Sequence, residues 1–215
     1  MSTATLEEYL EAIYKISENG VTRPTKIAAA MGVSGPTVTA TLKRLESRGL
    51  ITRSGGKVSL SAQGQVLALD IIRRHRISER FLVDILGMSW DEAHEDACRL
   101  EHALSSRVLE RLEKFLDNPD SCPHGHPIPT AEGHVSLIEA TPLGDHEPGA
   151  SLLISRVTEE DEAMLAYLGS MNMYPGSQVL IREVAPFFGP ITIEVDGVTH
   201  VIGREVANSV FVVKY

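Results

Sequence analysis

Four metal-competent side chains, His94, Cys98, Glu101 and His102, recur at i, i+4, i+7 and i+8. At about 100° per residue of an α-helix these positions fall on one narrow stripe. Apolar residues with that spacing would be core. Four polar side chains there need partners, and a divalent cation supplies one. Mixed N, O and S donors suit a first-row transition ion such as Mn, Fe or Zn, and not calcium. His75 and Glu79 are four apart and share a helix face. They could bind one metal together, although among Arg73, Arg74, Arg76 and Arg80 the pair alone reads more simply as a surface pair. Cys122-Pro123-His124-Gly125-His126 sets three donors within five residues, which alone is equally a mobile His-rich loop.

Other chemistries find less support. Asp91-Glu92-Ala93-His94 spells a helicase box, but no Gly-x-x-x-x-Gly-Lys-Ser/Thr precedes it to cradle phosphates. Gly55-Gly56-Lys57 lacks that context too. No Gly-x-Ser-x-Gly offers a hydrolase elbow. Two cysteines are too few for a disulfide framework and read as thiols open to a metal. A metalloenzyme with Glu101 or Glu79 as base on metal-bound water is a rival reading. It needs an open coordination position and a substrate pocket, and no sequence signal points to either.

The elements that must carry these residues can be read in order. Leu6, Tyr9, Leu10, Ile13, Tyr14 and Ile16 predict a helix over 5–18. A short helix over Thr25–Met31 stops at Gly32. Ser34 or Gly35 can cap the next helix, with Pro36 in its first turn and Val38, Leu42 and Leu45 on its inner face up to Gly49. Leu50–Arg53 and Lys57–Leu60 flank a Gly55-Gly56 turn as a hairpin. Helix, helix, turn, helix, hairpin is a winged helix-turn-helix. A long helix is predicted over 61–86, and another from Trp90 to Leu116 with Leu100, Leu104, Val108 and Leu112 on one stripe. Prolines at 119, 123, 127, 129, 142 and 148 mark 119–149 as a tethered linker. Alternation over 151–157, 177–184, 190–195, 198–202 and 209–213, with one helix near 160–169, predicts a small barrel-like β domain. The domains expected are 1–70, 71–118, the linker 119–149, and 150–215.

Charge follows the same division. The 215 residues carry a net charge of −9, which argues against a uniformly basic nucleic-acid binder. Residues 118–215 alone account for −9. Within 21–60, Arg23, Lys26, Lys43, Arg44, Arg48, Arg53 and Lys57 face only Glu46. A local basic patch on an acidic protein suits a compact DNA-reading module, although chance clustering on a solvated face would give the same count. At 43% hydrophobic and 23% charged residues the composition is globular. No apolar run approaches the roughly 18 residues of a membrane span, and no secretory signal is visible, so a cytoplasmic protein is expected. A winged-helix regulator sensing a small organic ligand, with the His/Glu/Cys stripe structural, is the second rival.

Several runs together resemble the diphtheria-toxin-repressor family of metal-dependent transcriptional regulators. They are Glu8-Tyr9-Leu10-Glu11-Ala12-Ile13-Tyr14, Val33-Ser34-Gly35-Pro36-Thr37-Val38-Thr39, Arg74-His75-Arg76 with Glu79, and the run His94 to His102. Cys122-Pro123-His124-Gly125 with Pro127-Ile128-Pro129 resembles the manganese-type, three-domain members. The resemblance covers essentially the whole chain. It implies a mainly α architecture with β: an N-terminal winged helix, a helical dimerisation and metal domain, and a C-terminal SH3-like module. It implies a homodimeric repressor of double-stranded operator DNA, with no membrane partner and no organic cofactor.

Carried over by position, the primary metal site would be Glu8, Cys98, Glu101 and His102. An ancillary site would use His75, Glu79 and His94, as in iron-type members, or Glu79 with Cys122, His124 and an acid from 159–162, as in manganese-type members. Glu159 and Glu162 are the acids proposed there, and Glu11 is a further carboxylate beside Glu8. Iron-type members place Met where Glu8 stands and Cys where Cys98 stands, whereas manganese-type members tend to place carboxylates at both. This chain is a hybrid, a hard oxygen at 8 and a soft thiolate at 98. Mn²⁺ is expected ahead of Fe²⁺ as co-repressor, with other divalent transition metals able to substitute in vitro. Helix 36–48 would enter the major groove. Ser34, Thr37 and Thr39 would meet phosphates or base edges, Pro36 a thymine methyl, and Lys43 and Arg44 phosphates, with Arg53 and Lys57 on the wing.

Overall fold

The computed structural model describes residues 3–18, 20–136, 138–158 and 161–215. The chain divides into two compact units, Met1–His75 with Pro129–His134, and Arg76–Ile128 with Val135–Tyr215.

In the first unit, α1 (Thr3–Glu18) turns Leu6, Tyr9, Leu10 and Ile13 onto one buried face. They join a core with Ile27 of α2 (Pro24–Ala30) and Val38, Leu42 and Leu45 of α3 (Gly35–Ser47). Each such side chain contributes about 1.5–3 kcal/mol by leaving water, so this face decides how α1, α2 and α3 assemble. Gly32, at φ +61°, makes the turn between α2 and α3. Ser34 then caps α3, its Oγ accepting from the Thr37 N–H at 3.4 Å. Strands β1 (Ile51–Ser54) and β2 (Lys57–Leu60) pair antiparallel, Ser54 opposite Lys57. Gly55 and Gly56 both have positive φ, +56° and +74°, as a two-residue hairpin turn requires. This is the expected winged helix-turn-helix, with the first hairpin strand one residue later than predicted.

Helix α4 (Ala62–Arg80) follows at once. Gly64 approaches Leu50 so closely that a Cβ there would stand 1.9 Å from the Leu50 carbonyl oxygen. Ser61 Oγ donates to the Gly49 carbonyl and accepts from the Gly64 N–H. The base of the wing is thereby fastened to the first turn of the helix that carries His75 and Glu79.

In the second unit the helix predicted over 61–86 changes form. It is α-helical to Arg80 and continues as a π-helical turn over Phe81–Ile85. The single helix expected from Trp90 to Leu116 is two, α5 (Ala93–Glu101) and α6 (Ser106–Phe115). The Ala103 and Leu104 N–H groups bond back to the Leu100 carbonyl, ending α5, and Ser105 caps α6 by accepting from Val108 N–H. Of the predicted stripe, Leu104 and Leu112 pack together with Leu109, Ile77 and Ile128, whereas Leu100 packs with Leu82, Ala93 and Ala97 and Val108 is exposed, because the break turns α6 so that Leu109 faces inward.

The Pro/His-rich stretch is not slack over 120–128. Cys122 N–H donates to the His126 carbonyl and Gly125 N–H to that of Cys122. Arg76 donates to the Pro127 carbonyl at 2.6 Å, and Arg80 to the carbonyls of Ser121 at 2.7 Å and Cys122 at 3.3 Å.

The C-terminal part is a six-stranded antiparallel sheet in the order β3-β8-β4-β5-β6-β7. Its strands are β3 (Thr141–Pro142), β4 (Ser151–Val157), β5 (Gln178–Val184), β6 (Ile191–Val195), β7 (Val198–Ile202) and β8 (Val210–Lys214). Helices α7 (Glu162–Gly169) and α8 (Arg204–Ser209) complete it. Register shifts at Ile154/Arg156 and Ile181/Glu183 bend the strands, as bulges do. Ile154, Ile181, Ile193 and Val212 fill the inside. The five predicted β runs are all present, and β3 and α8 are additional.

Candidate metal centre and DNA-facing helix

Glu79 sits near the end of α4 and is fully buried. One oxygen, Oε1, lies 3.3 Å from His124 Nδ1 and 3.4 Å from His94 Nδ1. His124 is fully buried as well, as is Cys122, whose Sγ is 4.0 Å from His124 Nδ1. Ligand atoms of Glu79, Cys122 and His124 all lie within 4.8 Å of one another. Two donors sharing a zinc-like ion at 2.0–2.3 Å stand about 3.3–3.6 Å apart, so the carboxylate–imidazole spacing already fits a shared cation. A carboxylate removed from water needs compensating charge. A group of one carboxylate, one imidazole and one thiol is chemically suited to bind a divalent transition metal.

The fold explains how these three meet. The Arg76 and Arg80 guanidinium groups fasten the 121–127 loop to α4 through its carbonyls. Its other side lies along β4, where the Val157 N–H donates to the His124 carbonyl at 3.0 Å and His126 Nε2 bonds the Val157 carbonyl at 2.8 Å. Gly125, at φ +85°, passes so near β4 that a Cβ would stand 2.1 Å from the Ser155 carbonyl oxygen. His124 Nε2 bonds the Trp90 carbonyl at 2.8 Å, and the His124 ring stacks on the Trp90 indole, centroids 5.4 Å apart at 29°. Trp90 is the chain's single tryptophan. With its outer nitrogen bonded to a backbone carbonyl, His124 presents Nδ1 to Glu79, the usual way an outer partner orients a ligating histidine.

Helix α5 and the residue that caps it carry the four stripe residues, with two contacts between sequence neighbours or residues one turn apart. His94 and Cys98 point together, Cys98 Sγ 3.7 Å from His94 Nε2, and His94 reaches Glu79 through its other nitrogen. Glu101 is 2% exposed and pairs with His102, Oε1 to Nε2 3.3 Å. Both alternatives for an ancillary site therefore share Glu79. His75 is buried on α4, one turn before Glu79.

The remaining expected ligands stand as follows. Glu8 is exposed on α1. Glu11, on the same helix, forms an ion pair with Lys15 at 3.2 Å. Glu162 is exposed in the first turn of α7, which Asp161 caps by accepting from Met164 N–H. Glu159 and Glu160 lie outside the described residues.

On the winged helix, α3 buries Val38, Thr41, Leu42 and Leu45. Ser34, Pro36, Thr39, Lys43 and Lys57 are exposed, and Thr37 and Arg44 partly so. Ser34 Oγ and Thr37 Oγ1 are 2.9 Å apart, and Thr39 Oγ1 donates to the Gly35 carbonyl. Arg53 is committed differently, its guanidinium pairing with Glu46 at 3.0 Å. Sequence reasoning gave Trp90, Arg76 and Arg80 no part in placing the ligands, and it read His126 as a third donor of its loop, where the structure bonds that ring to the Val157 carbonyl. Only Trp90, as the sole tryptophan, carried a signal of its own.

Comparison with known proteins gives a consistent result. The family profile described as "Iron dependent repressor, N-terminal DNA binding domain" matches residues 1–57. "Iron dependent repressor, metal binding and dimerisation domain" matches 61–130, and "FeoA domain" 141–214. The iron-dependent repressor IdeR of Mycobacterium leprae (strain TN) is 34% identical over 98% of this chain and 97% of its own. The diphtheria toxin repressor of Corynebacterium jeikeium (strain K411) is 32% identical over 81% and 83%. A manganese-dependent transcriptional repressor solved in complex with manganese superposes with a TM-score of 0.92, at 33% identity, covering 98% of this chain and all of that one.

Proposed function

The chain belongs to the diphtheria-toxin-repressor family, metal-dependent DNA-binding transcriptional repressors and not enzymes, and from that premise we propose how its own residues do the work, with manganese as the favoured co-repressor. Two donor groups carry the metal response. One is Cys98, Glu101 and His102, completed by Glu8 from the DNA-reading unit. The other centres on Glu79, with Cys122 and His124, joined by His75 and His94 or by an acid of the Glu159–Glu162 run. A bound divalent cation supplies positive charge and a cross-link between helices. The observation that carries the reading is the single Glu79 oxygen held between His124 and His94.

In this reading Glu8 and Glu101 repel at close range when uncompensated, and the reading head samples many orientations. Compensated, they hold two recognition helices of a homodimer at the spacing of successive major grooves. Helix α3 enters the groove. Ser34, Thr37 and Thr39 contact phosphates or base edges, Pro36 a thymine methyl, and Lys43, Arg44 and Lys57 phosphates, with Arg53 set by Glu46. Ala40 offers no hydrogen-bonding group, so base readout is sparse.

Manganese is favoured because Glu8, Glu79 and Glu101 provide hard oxygen donors, and manganese sits low in the affinity order and depends on them. The test is activation of operator binding by manganese, anaerobic ferrous iron and cobalt in the wild type and two variants. Glu8→Met should shift activation towards iron, and Cys98→Glu should sharpen the preference for manganese. Parallel shifts for all three metals in both variants would reject selectivity control by these two positions.

A further inference from the structure

We propose that Phe187 and Phe188, at the tip of the β5–β6 hairpin, form a docking knob for a second copy of this chain, and that the socket is the cavity walled by Trp90 and Tyr174. The contact involves neither the metal donors nor the DNA-reading helix.

Phe187 and Phe188 are 98% and 91% exposed. Both stand in left-handed backbone, at φ +58° and +56°. That conformation is unfavourable for a bulky side chain, and such strain gathers at functional sites. The tip is nonetheless firmly held. Pro186 and Pro190 bracket it with fixed φ. The Ala185 N–H donates to the Pro190 carbonyl at 3.0 Å, and the Gly189 N–H to that of Pro186 at 3.1 Å. Arg204 donates to the carbonyls of Gly189 at 3.0 Å and Gly144 at 2.8 Å, which ties the tip to the sheet domain. Two exposed rings on a rigid loop lose little freedom on docking.

A cavity of 470 Å³ opens beside Trp90, within the roughly 300–1,000 Å³ typical of pockets that take organic groups. Trp90 and Tyr174 form an aromatic wall, their centroids 4.8 Å apart at 59°. Val83 and Ala166 extend the apolar lining, and Arg80 adds a cation, which favours the face of a phenyl ring. Asp91, the carboxylate of the lining, already accepts from Ser89 Oγ at 2.6 Å. The exposure of both rings shows that neither enters the cavity of its own chain.

Charge narrows the choice of partner. Residues 118–215 hold four Lys/Arg against thirteen Asp/Glu, so a DNA backbone or an anionic membrane repels the knob's domain. A second copy brings both halves of the match, two apolar rings and an aromatic, cationic cavity large enough for them. Two phenylalanines bury about 300–500 Å², short of the roughly 800 Å² per partner of a stable interface. The contact is therefore weak in free solution and takes hold where copies are already close together.

The test is sedimentation equilibrium of the full-length, metal-free protein, carried to high micromolar concentration. Metal-free protein keeps the outcome independent of the metal reading. The wild type should associate beyond its basal assembly as concentration rises. Phe187→Asn with Phe188→Asn removes both rings and keeps a left-handed backbone, which Asn tolerates. Ala166→Arg fills the socket from an exposed helix position. Each variant alone should associate about ten-fold more weakly or worse. An equimolar mixture of the two should recover association, because one keeps the socket and the other the knob. Recovery also shows that both variants fold. A wild type that never exceeds its basal assembly, undiminished association in either variant, or a mixture that stays as weak as its components would each overturn the knob-and-socket contact.

Discussion

The Glu79 carboxylate oxygen lies 3.3 Å from His124 Nδ1 with both side chains fully buried, and the pair joins a helix to a loop distant in sequence. A buried carboxylate of this kind costs stability when its charge is uncompensated. Glu79→Gln should therefore leave the metal-free melting temperature equal or higher while shrinking the rise on adding metal. A ligand at 100 times its Kd stabilises by about 2.7 kcal/mol, so the loss is readable by thermal unfolding with and without manganese. An undiminished metal-induced rise would remove Glu79 from the site.

Gly125 tests how the loop is positioned. Its φ of +85° and the 2.1 Å approach of a would-be Cβ to the Ser155 carbonyl leave no room for a side chain. Gly125→Ala should destabilise by about 1–3 kcal/mol and lower the number of metals bound per chain. Unchanged stoichiometry by elemental analysis would show that the loop's register does not matter to binding.

Local signals made the winged helix legible. Gly32, Ser34, Pro36 and the Gly55-Gly56 pair each have one strong backbone preference, and the buried faces of α1 and α3 follow a helical period. The break at 102–105 was hidden because Leu100, Leu104, Val108 and Leu112 keep the period across it, and Ser105 looks like any helix serine until it caps. The ligand residue types were legible from their chemistry. The resemblance divided them into a primary and an ancillary set but left open which residues join Glu79, because that depends on contacts between distant segments: Arg80 with the Cys122 carbonyl, Val157 with the His124 carbonyl, and His94 with Glu79.

The DNA face separates two arginines. Arg44 has no ion pair among the described residues, and Arg53 is paired with Glu46. Arg44→Ala should weaken binding to all sequences and lower the salt slope by about one, since one phosphate contact releases about one counterion. Arg53→Ala should lower it by less, because its charge is already largely neutralised. Measured slopes in the reverse order would place Arg53, not Arg44, on the backbone.

The central claim is that manganese, through these donors, switches the DNA-reading unit on. Its most direct test is the operator affinity of the wild-type protein, measured on its own upstream region across free-metal series. Binding should be lost in chelator, return with manganese, and reach half-activation at lower free manganese than anaerobic ferrous iron. Equal affinity in chelator and in excess manganese, or half-activation by iron at the lower concentration, would contradict it.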